Sequence, residues 1–173
     1  MKEKKVIIPE YEIDISDALD FKYLIVHHSA TVDGKLFDWG AIDQYHRSLG
    51  WVCVGYNFGI ERIGGKLVFH TGRPLNIAGA HTKEQNMNTL SIGCLFVGNF
   101  DLVPPDDEMI YFSVPFISAY LKAFNIPIEN VFPHNHWATY KSCPGSKFPF
   151  QRLTELLDIE LKHQDLRSQL GYD

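Results

Sequence analysis

Two apolar runs limit what this chain can fold into: "YLIVHHSAT" at 23–31, continuous until it ends in polar residues, and "SIGCLFVGNF" at 91–100. A strand with one wet face alternates apolar and polar residues, whereas a strand without alternation is covered on both faces. Both runs therefore belong inside a sheet that other elements cover. "VGYNFGIERIGGKLVFH", 54–70, reads as a hairpin of two β-branched and aromatic stretches around Gly64-Gly65.

The covering elements are legible as helical patterns. "DWGAIDQYHRSLG" sets Trp39, Ile42, Tyr45, His46 and Leu49 at helical spacing, with Asp38 able to cap the start and Gly50 the end. "PPDDEMIYFSVPFISAYLKAFN" puts Met109, Phe112, Phe116, Ile117, Tyr120, Leu121 and Phe124 on one face, and Pro115 is predicted to kink or divide that helix. Residues 150–162 form a last amphipathic helix, and the final ten residues are predicted to fray. Residues 70–90, polar and rich in Gly and Asn, predict a long surface loop of the kind that carries function. The order strand, helix, hairpin, strand, helix, helix predicts an α/β fold with a mixed central β-sheet flanked by helices on both faces. No repeat, low-complexity tract or long linker divides the 173 residues, so a single domain over 1–173 is expected.

Composition removes several functions. The apolar content of 45% is that of a packed globular chain. A net charge of −5, with no basic run interleaved with aromatics, argues against nucleic acid as partner. No stretch approaches the ~18 apolar residues of a membrane-spanning helix, so no membrane insertion is expected. "MKEKK" looks like the start of a signal peptide, but "VIIPEYEID" supplies no apolar h-region, which predicts a cytoplasmic site of synthesis. Cys53, Cys94 and Cys143 are too few for a disulfide framework. Cys53 and Cys94, in or entering strands, are expected to be buried and inert.

Chemistry concentrates in "HNHWATYKSCPG", 134–145, and at the end of the first buried run. Successive strand residues face opposite sides, so only one of His27 and His28 can point into a given site. His27, one histidine of the 134–136 pair and Cys143 would give three N/S ligands with a fourth tetrahedral position open, the ligand count of a catalytic zinc site. The spacing matches no compact zinc motif, however. A histidine at a strand end is ordinarily just hydrogen-bonded, and a cysteine before Pro-Gly is ordinarily a small buried residue. From the residues alone, both readings stand.

"VHHSAT", "IDQYHRSLGWVCVGYNF", "GAHTKEQNMNTLSIGCLFVGNF" and "HNHWATYKSCPG", in that order, resemble the zinc-dependent N-acetylmuramoyl-L-alanine amidases, the superfamily of phage amidase-type lysozymes and peptidoglycan recognition proteins. The resemblance runs from about 22 to 153, leaving a short N-terminal extension at 1–21 and a C-terminal helix with a frayed tail at 154–173. It implies a peptidoglycan-recognition-protein-like fold holding one zinc per chain on His27, His134 and Cys143. His136 competes with His134, because this loop varies in length across the family. Asn135 and His136 stand where many members have Arg-Asp, so the partner that orients the ligand histidine is open.

The same resemblance implies that Tyr56 orients the attacking water and that Lys141 supplies a cation to the developing oxyanion. His81 and Asn88 match loop positions that touch the muramyl-peptide, and Arg73 is a candidate to line the same groove or a solvated loop charge. No glutamate occupies a general-base position. The implied activity is hydrolysis of the amide between N-acetylmuramic acid and L-alanine in peptidoglycan, by a monomer. The Tyr56–Lys141 pairing favours an endolysin-like enzyme released through a holin to act on the cell wall. A cytosolic muropeptide-recycling amidase and a recognition module that binds without cutting are the alternatives. A metal-free hydrolase using Cys143 as nucleophile is a third.

Overall fold

The computed structural model describes residues 4–9, 12–30 and 38–171. Thr31, which closes the "VHHSAT" motif, and the last two residues of the expected frayed tail lie outside them. The chain opens with two short antiparallel strands, β1 (Lys5–Ile7) and β2 (Glu12–Asp14). Then come β3 (Tyr23–His28), α1 (Trp39–Ser48), the hairpin β4 (Phe58–Ile63) and β5 (Lys66–Thr71), and the single turn α2 (Met87–Leu90). β6 (Ser91–Phe96), α3 (Asp107–Phe124), β7 (Val131–Pro133), the single turn α4 (His134–Trp137) and α5 (Phe150–Gln169) complete it.

The expected mixed sheet is present, in the order β5-β4-β6-β3-β7. β4, β6, β3 and β7 run parallel to their neighbours, and β5 returns antiparallel at the edge. β3 and β6, the two apolar runs, are interior strands, buried on both faces as their lack of alternation requires. Leu24 and Val26 of β3, with Ile92, Cys94 and Phe96 of β6, enter the main core under α3 and α5. Phe58 stacks on Tyr120 at 4.5 Å and Phe69 on Phe116 at 4.4 Å, fastening α3 across the hairpin. On the opposite face, Ile42 of α1 and Val54 pack on Leu95.

Local signals explain most boundaries. The Asp38 side chain accepts a hydrogen bond from the Ala41 backbone N–H and so caps α1. Gly64 and Gly65 both have positive φ, which the two-residue turn of the hairpin demands. Pro115 does not divide α3, which continues through it as one helix, with buried Val114, Phe116 and Ile117 anchoring it on either side of the proline. α5 also runs further than its expected end at 162, because Leu153 and Leu157 bury one face and exposed (i, i+4) pairs such as Asp158–Lys162 support the rest. Part of the N-terminal extension enters the core, with Val6 fully buried and Ile8 and Ile15 nearly so. No helix among the described residues is long and apolar enough to cross a membrane.

Candidate metal centre

Strand register assembles the first half of the site. β3 and β7 are parallel, with Val26 opposite Pro133, so the next residues, His27 and His134, emerge side by side at the strands' carboxyl ends. Such ends are where open α/β sheets bind ligands. The two imidazole centroids are 4.4 Å apart. Side-chain alternation sends His27 to the α1 face, while His28 turns toward the main core, where its Nδ1 accepts from the Phe100 N–H at 3.1 Å.

The cysteine arrives on a loop that is tied down at several points. Asn135 donates its backbone N–H to the Cys143 carbonyl at 2.8 Å. Asp101 accepts from the Ser142 hydroxyl at 2.6 Å and from the Ser146 N–H at 2.7 Å. Gly145, at φ 110°, passes so close that a Cβ would stand 2.5 Å from the Phe100 backbone. Cys143 Sγ ends 3.7 Å from His27 Nδ1 and accepts from the His28 N–H at 3.4 Å. One donor atom from each of His27, His134 and Cys143 lies within 4.8 Å of the other two, and all three residues are buried.

The electrostatics of this cluster call for a cation. Burial holds the His27 imidazole well below its ordinary pKa, with His81, His134 and the Lys141 charge adding to the effect. Burial, with Lys141, brings His134 down to about 4. Both rings are therefore neutral near pH 7, with lone pairs to offer, and His134 Nε2 is buried with no hydrogen-bond partner among the described residues. Burial pushes the Cys143 thiol up to about 12, so a thiolate forms there only against added positive charge. Two neutral imidazoles with an orphaned nitrogen and a thiol awaiting a counter-charge fit a borderline-soft divalent ion such as zinc.

A cavity of about 470 Å³ opens over the cluster, its walls including Tyr56, His46, Trp51, Tyr140 and Lys141. The Tyr56 ring is 5.1 Å from that of His27, and burial keeps its phenol protonated above the ordinary range. Lys141 is exposed at the rim. His136 is exposed too and stacks on Phe132 at 4.3 Å, outside the cluster.

The 70–90 segment is not a surface loop throughout. Arg73, His81 and Thr82 are buried. Arg73 is not a solvated charge: its Nε, Nη1 and Nη2 donate to the carbonyls of Val54, Ala78 and Cys53, which knits the segment to the strand entry. Asn88 Oδ1 accepts from the backbone N–H groups of His81 and Thr82, each at 2.8 Å, and His81 Nδ1 lies 3.0 Å from His27 Nε2. Cys94 is buried as expected, but Cys53 is only half-buried.

His46 and Trp51 went unrecognised as cavity residues. On the α1 stripe only Ile42 is buried, while Tyr45 and Leu49 are largely exposed. His46 sits among them with its Nδ1 accepting from the Gly55 N–H at 3.1 Å. A histidine inside an apolar stripe was the available signal.

A family model described as N-acetylmuramoyl-L-alanine amidase matches residues 17–146. Peptidoglycan-recognition protein SC2 of Drosophila melanogaster is 39% identical over 85 residues, 46% of this chain and 44% of that protein. The endolysin of Escherichia phage T7 is 38% identical over 78 residues, 45% of this chain and 48% of its own length. Each match thus spans less than half of the relative. Among solved structures, the amidase LysC from Clostridium intestinale URNW superposes with a TM-score of 0.70 at 24% identity, covering 83% of this chain and 89% of its own, a likeness of fold. Wild-type Drosophila PGRP-LB gives 0.61 at 26% identity, covering 75% and 77%. The chain belongs to the N-acetylmuramoyl-L-alanine amidase family.

Proposed function

We propose that this chain is a zinc-dependent N-acetylmuramoyl-L-alanine amidase that hydrolyses the amide joining the lactyl group of N-acetylmuramic acid to the first L-alanine of the peptidoglycan stem. The observation that carries this reading is the His27–His134–Cys143 cluster, with donor atoms within 4.8 Å, at the floor of a cavity that Tyr56 and Lys141 flank. Zinc held by these three residues would supply Lewis acidity toward the scissile carbonyl and hydroxide near neutral pH.

The chain's own residues do the rest. Tyr56, protonated and half-buried, offers a hydroxyl that orients the attacking water. Lys141 brings an ammonium group to the rim, where it stabilises charge developing on the carbonyl oxygen; a donor in that role is typically worth ~10²–10³ in rate. The cavity and the adjoining hollow of about 290 Å³, which Trp51, Asn88 and Glu84 help line, give the sugar and the stem peptide room on either side of the amide. Partial identity to a phage endolysin supports action on the cell wall.

The cluster argues against Cys143 as a nucleophile. Its thiol is held at about 12 and His27, its neighbour, is a poor base, the reverse of an activated Cys–His pair. Metal analysis with chelation tests the assignment. About one zinc per chain is expected, with lysis of purified sacculi lost to chelator and restored by zinc. Lysis that persists in a protein proven free of metal would contradict the proposal, and zinc-loaded protein that binds sacculi without cutting them would make it a recognition module.

A further inference from the structure

His27 presents two ring nitrogens to different surroundings. Nδ1 faces Cys143, whereas Nε2 points away from the cluster, 3.0 Å from His81 Nδ1 and 3.4 Å from Thr82 Oγ1. His81 occupies a slot that only glycines permit. A Cβ on Gly79 would lie 2.5 Å from its Cδ2, and a Cβ on Gly93 would lie 2.6 Å from the same atom. Gly93 stands in mid-β6, where glycine otherwise weakens a strand, so the close approach of this ring accounts for it. Asn88 fixes the His81 backbone from the other side. His81 Nε2 is buried with no hydrogen-bond partner among the described residues, so Nδ1 is the ring nitrogen through which His81 meets His27 and Thr82.

A neutral imidazole with its proton on Nε2 has a lone pair on Nδ1. That lone pair is the acceptor for the Nε2–H of His27, directly or through the Thr82 hydroxyl, which lies 3.1 Å from His81 Nδ1. We propose that His81 is a positioning residue of the metal centre, one that holds His27 as its Nε2–H tautomer and thereby aims the Nδ1 lone pair at the site shared with His134 and Cys143. This rests on the zinc reading above. Ligand histidines usually donate their second N–H to a carboxylate or a carbonyl. A neutral histidine in that place orients the ligand without adding charge, so one thiolate remains the cluster's only anion.

Two variants test it. His81→Leu removes the acceptor at similar bulk, whereas His81→Asn restores an oxygen acceptor near the Nδ1 position. Zinc affinity is measured for the folded full chain by competition with a chromophoric chelator. The expectation is zinc binding weakened roughly 10- to 100-fold in His81→Leu and by no more than about 3-fold in His81→Asn. Unchanged affinity in His81→Leu, equal loss in both variants, or a raised KM with zinc affinity intact would overturn the role. A wild-type chain that takes up no zinc overturns the zinc reading as well, which separates the two failures. Should His81→Leu not fold, long-range ¹H–¹⁵N spectra of the zinc-loaded wild type decide the matter. Protons on Nε2 of both His27 and His81 are expected, and a proton on His81 Nδ1 would overturn the proposal.

Discussion

Lys141 stands two residues before Cys143, and its charge lowers the pKa of His27, His134 and the cysteine thiol alike. Its side chain is exposed and lies over the Tyr140 ring, 5.8 Å from the centroid, so it contributes little to the core. Lys141→Ala is therefore expected to lower kcat by roughly 10²-fold with KM, zinc content and melting temperature nearly unchanged. A rise in KM alone would make it a substrate clamp. Tyr56→Phe removes one hydroxyl and almost no volume, so folding and zinc content should hold while hydrolysis slows. Wild-type turnover in that variant would reduce Tyr56 to a packing residue. At this scale the sequence was informative about types and poor about geometry. The family resemblance picked out His134 over His136, but nothing in "HNHW" itself says that one ring enters the cluster and the other stacks on Phe132. Arg73 illustrates the limit from the other side, since its three carbonyl partners come from strand-entry and loop segments that no local pattern connects.

Elements were legible where they carried strong periodicity. β3 and β6 followed from unbroken apolar runs, and the hairpin from its Gly-Gly turn. β1 and β2, three residues each, are too short to leave a pattern, and α3 lies beside β1, where Val6 is buried. The adjacency of His27 and His134 is a property of β3–β7 register, which sequence spacing does not encode. Pro115 does not divide α3, because tertiary packing on both sides of it outweighs its local cost. An interior proline forfeits one helical hydrogen bond and crowds the preceding turn, a penalty of ~3 kcal/mol in an isolated helix. Because α3 stays whole, Pro115→Ala should regain part of this, offset by about 0.5–1 kcal/mol from a freer unfolded chain. A net stabilisation of about 1–2 kcal/mol is expected in urea unfolding. A less stable variant would mean that the proline ring is itself needed in the packing.

For the molecule as a whole, the buried histidine–cysteine cluster makes stability depend on pH. In the metal-free chain His27, His81 and His134 have pKa values depressed by burial, His81 to about 3 and His134 to about 4. The unfolded chain binds protons at these histidines below about pH 6.5 while the folded chain does not, so stability falls as pH drops from 6.5 toward 4. His134 alone accounts for on the order of 3 kcal/mol across that window. Cys143 acts at the other end, because its thiol is raised to about 12 and stability falls again above about pH 9. Thermal melts of metal-free protein should therefore peak between about pH 6.5 and 9, and a melting temperature flat from pH 4 to 7 would contradict the buried neutral cluster. The most direct test of the account is chemical: purified peptidoglycan is digested with the zinc-loaded chain and the soluble products are identified by mass. Stem peptides with a free N-terminal L-alanine, beside glycan strands bearing a free lactyl carboxylate, are predicted. Products cut within the stem peptide or between sugars, or no release at all, would contradict it.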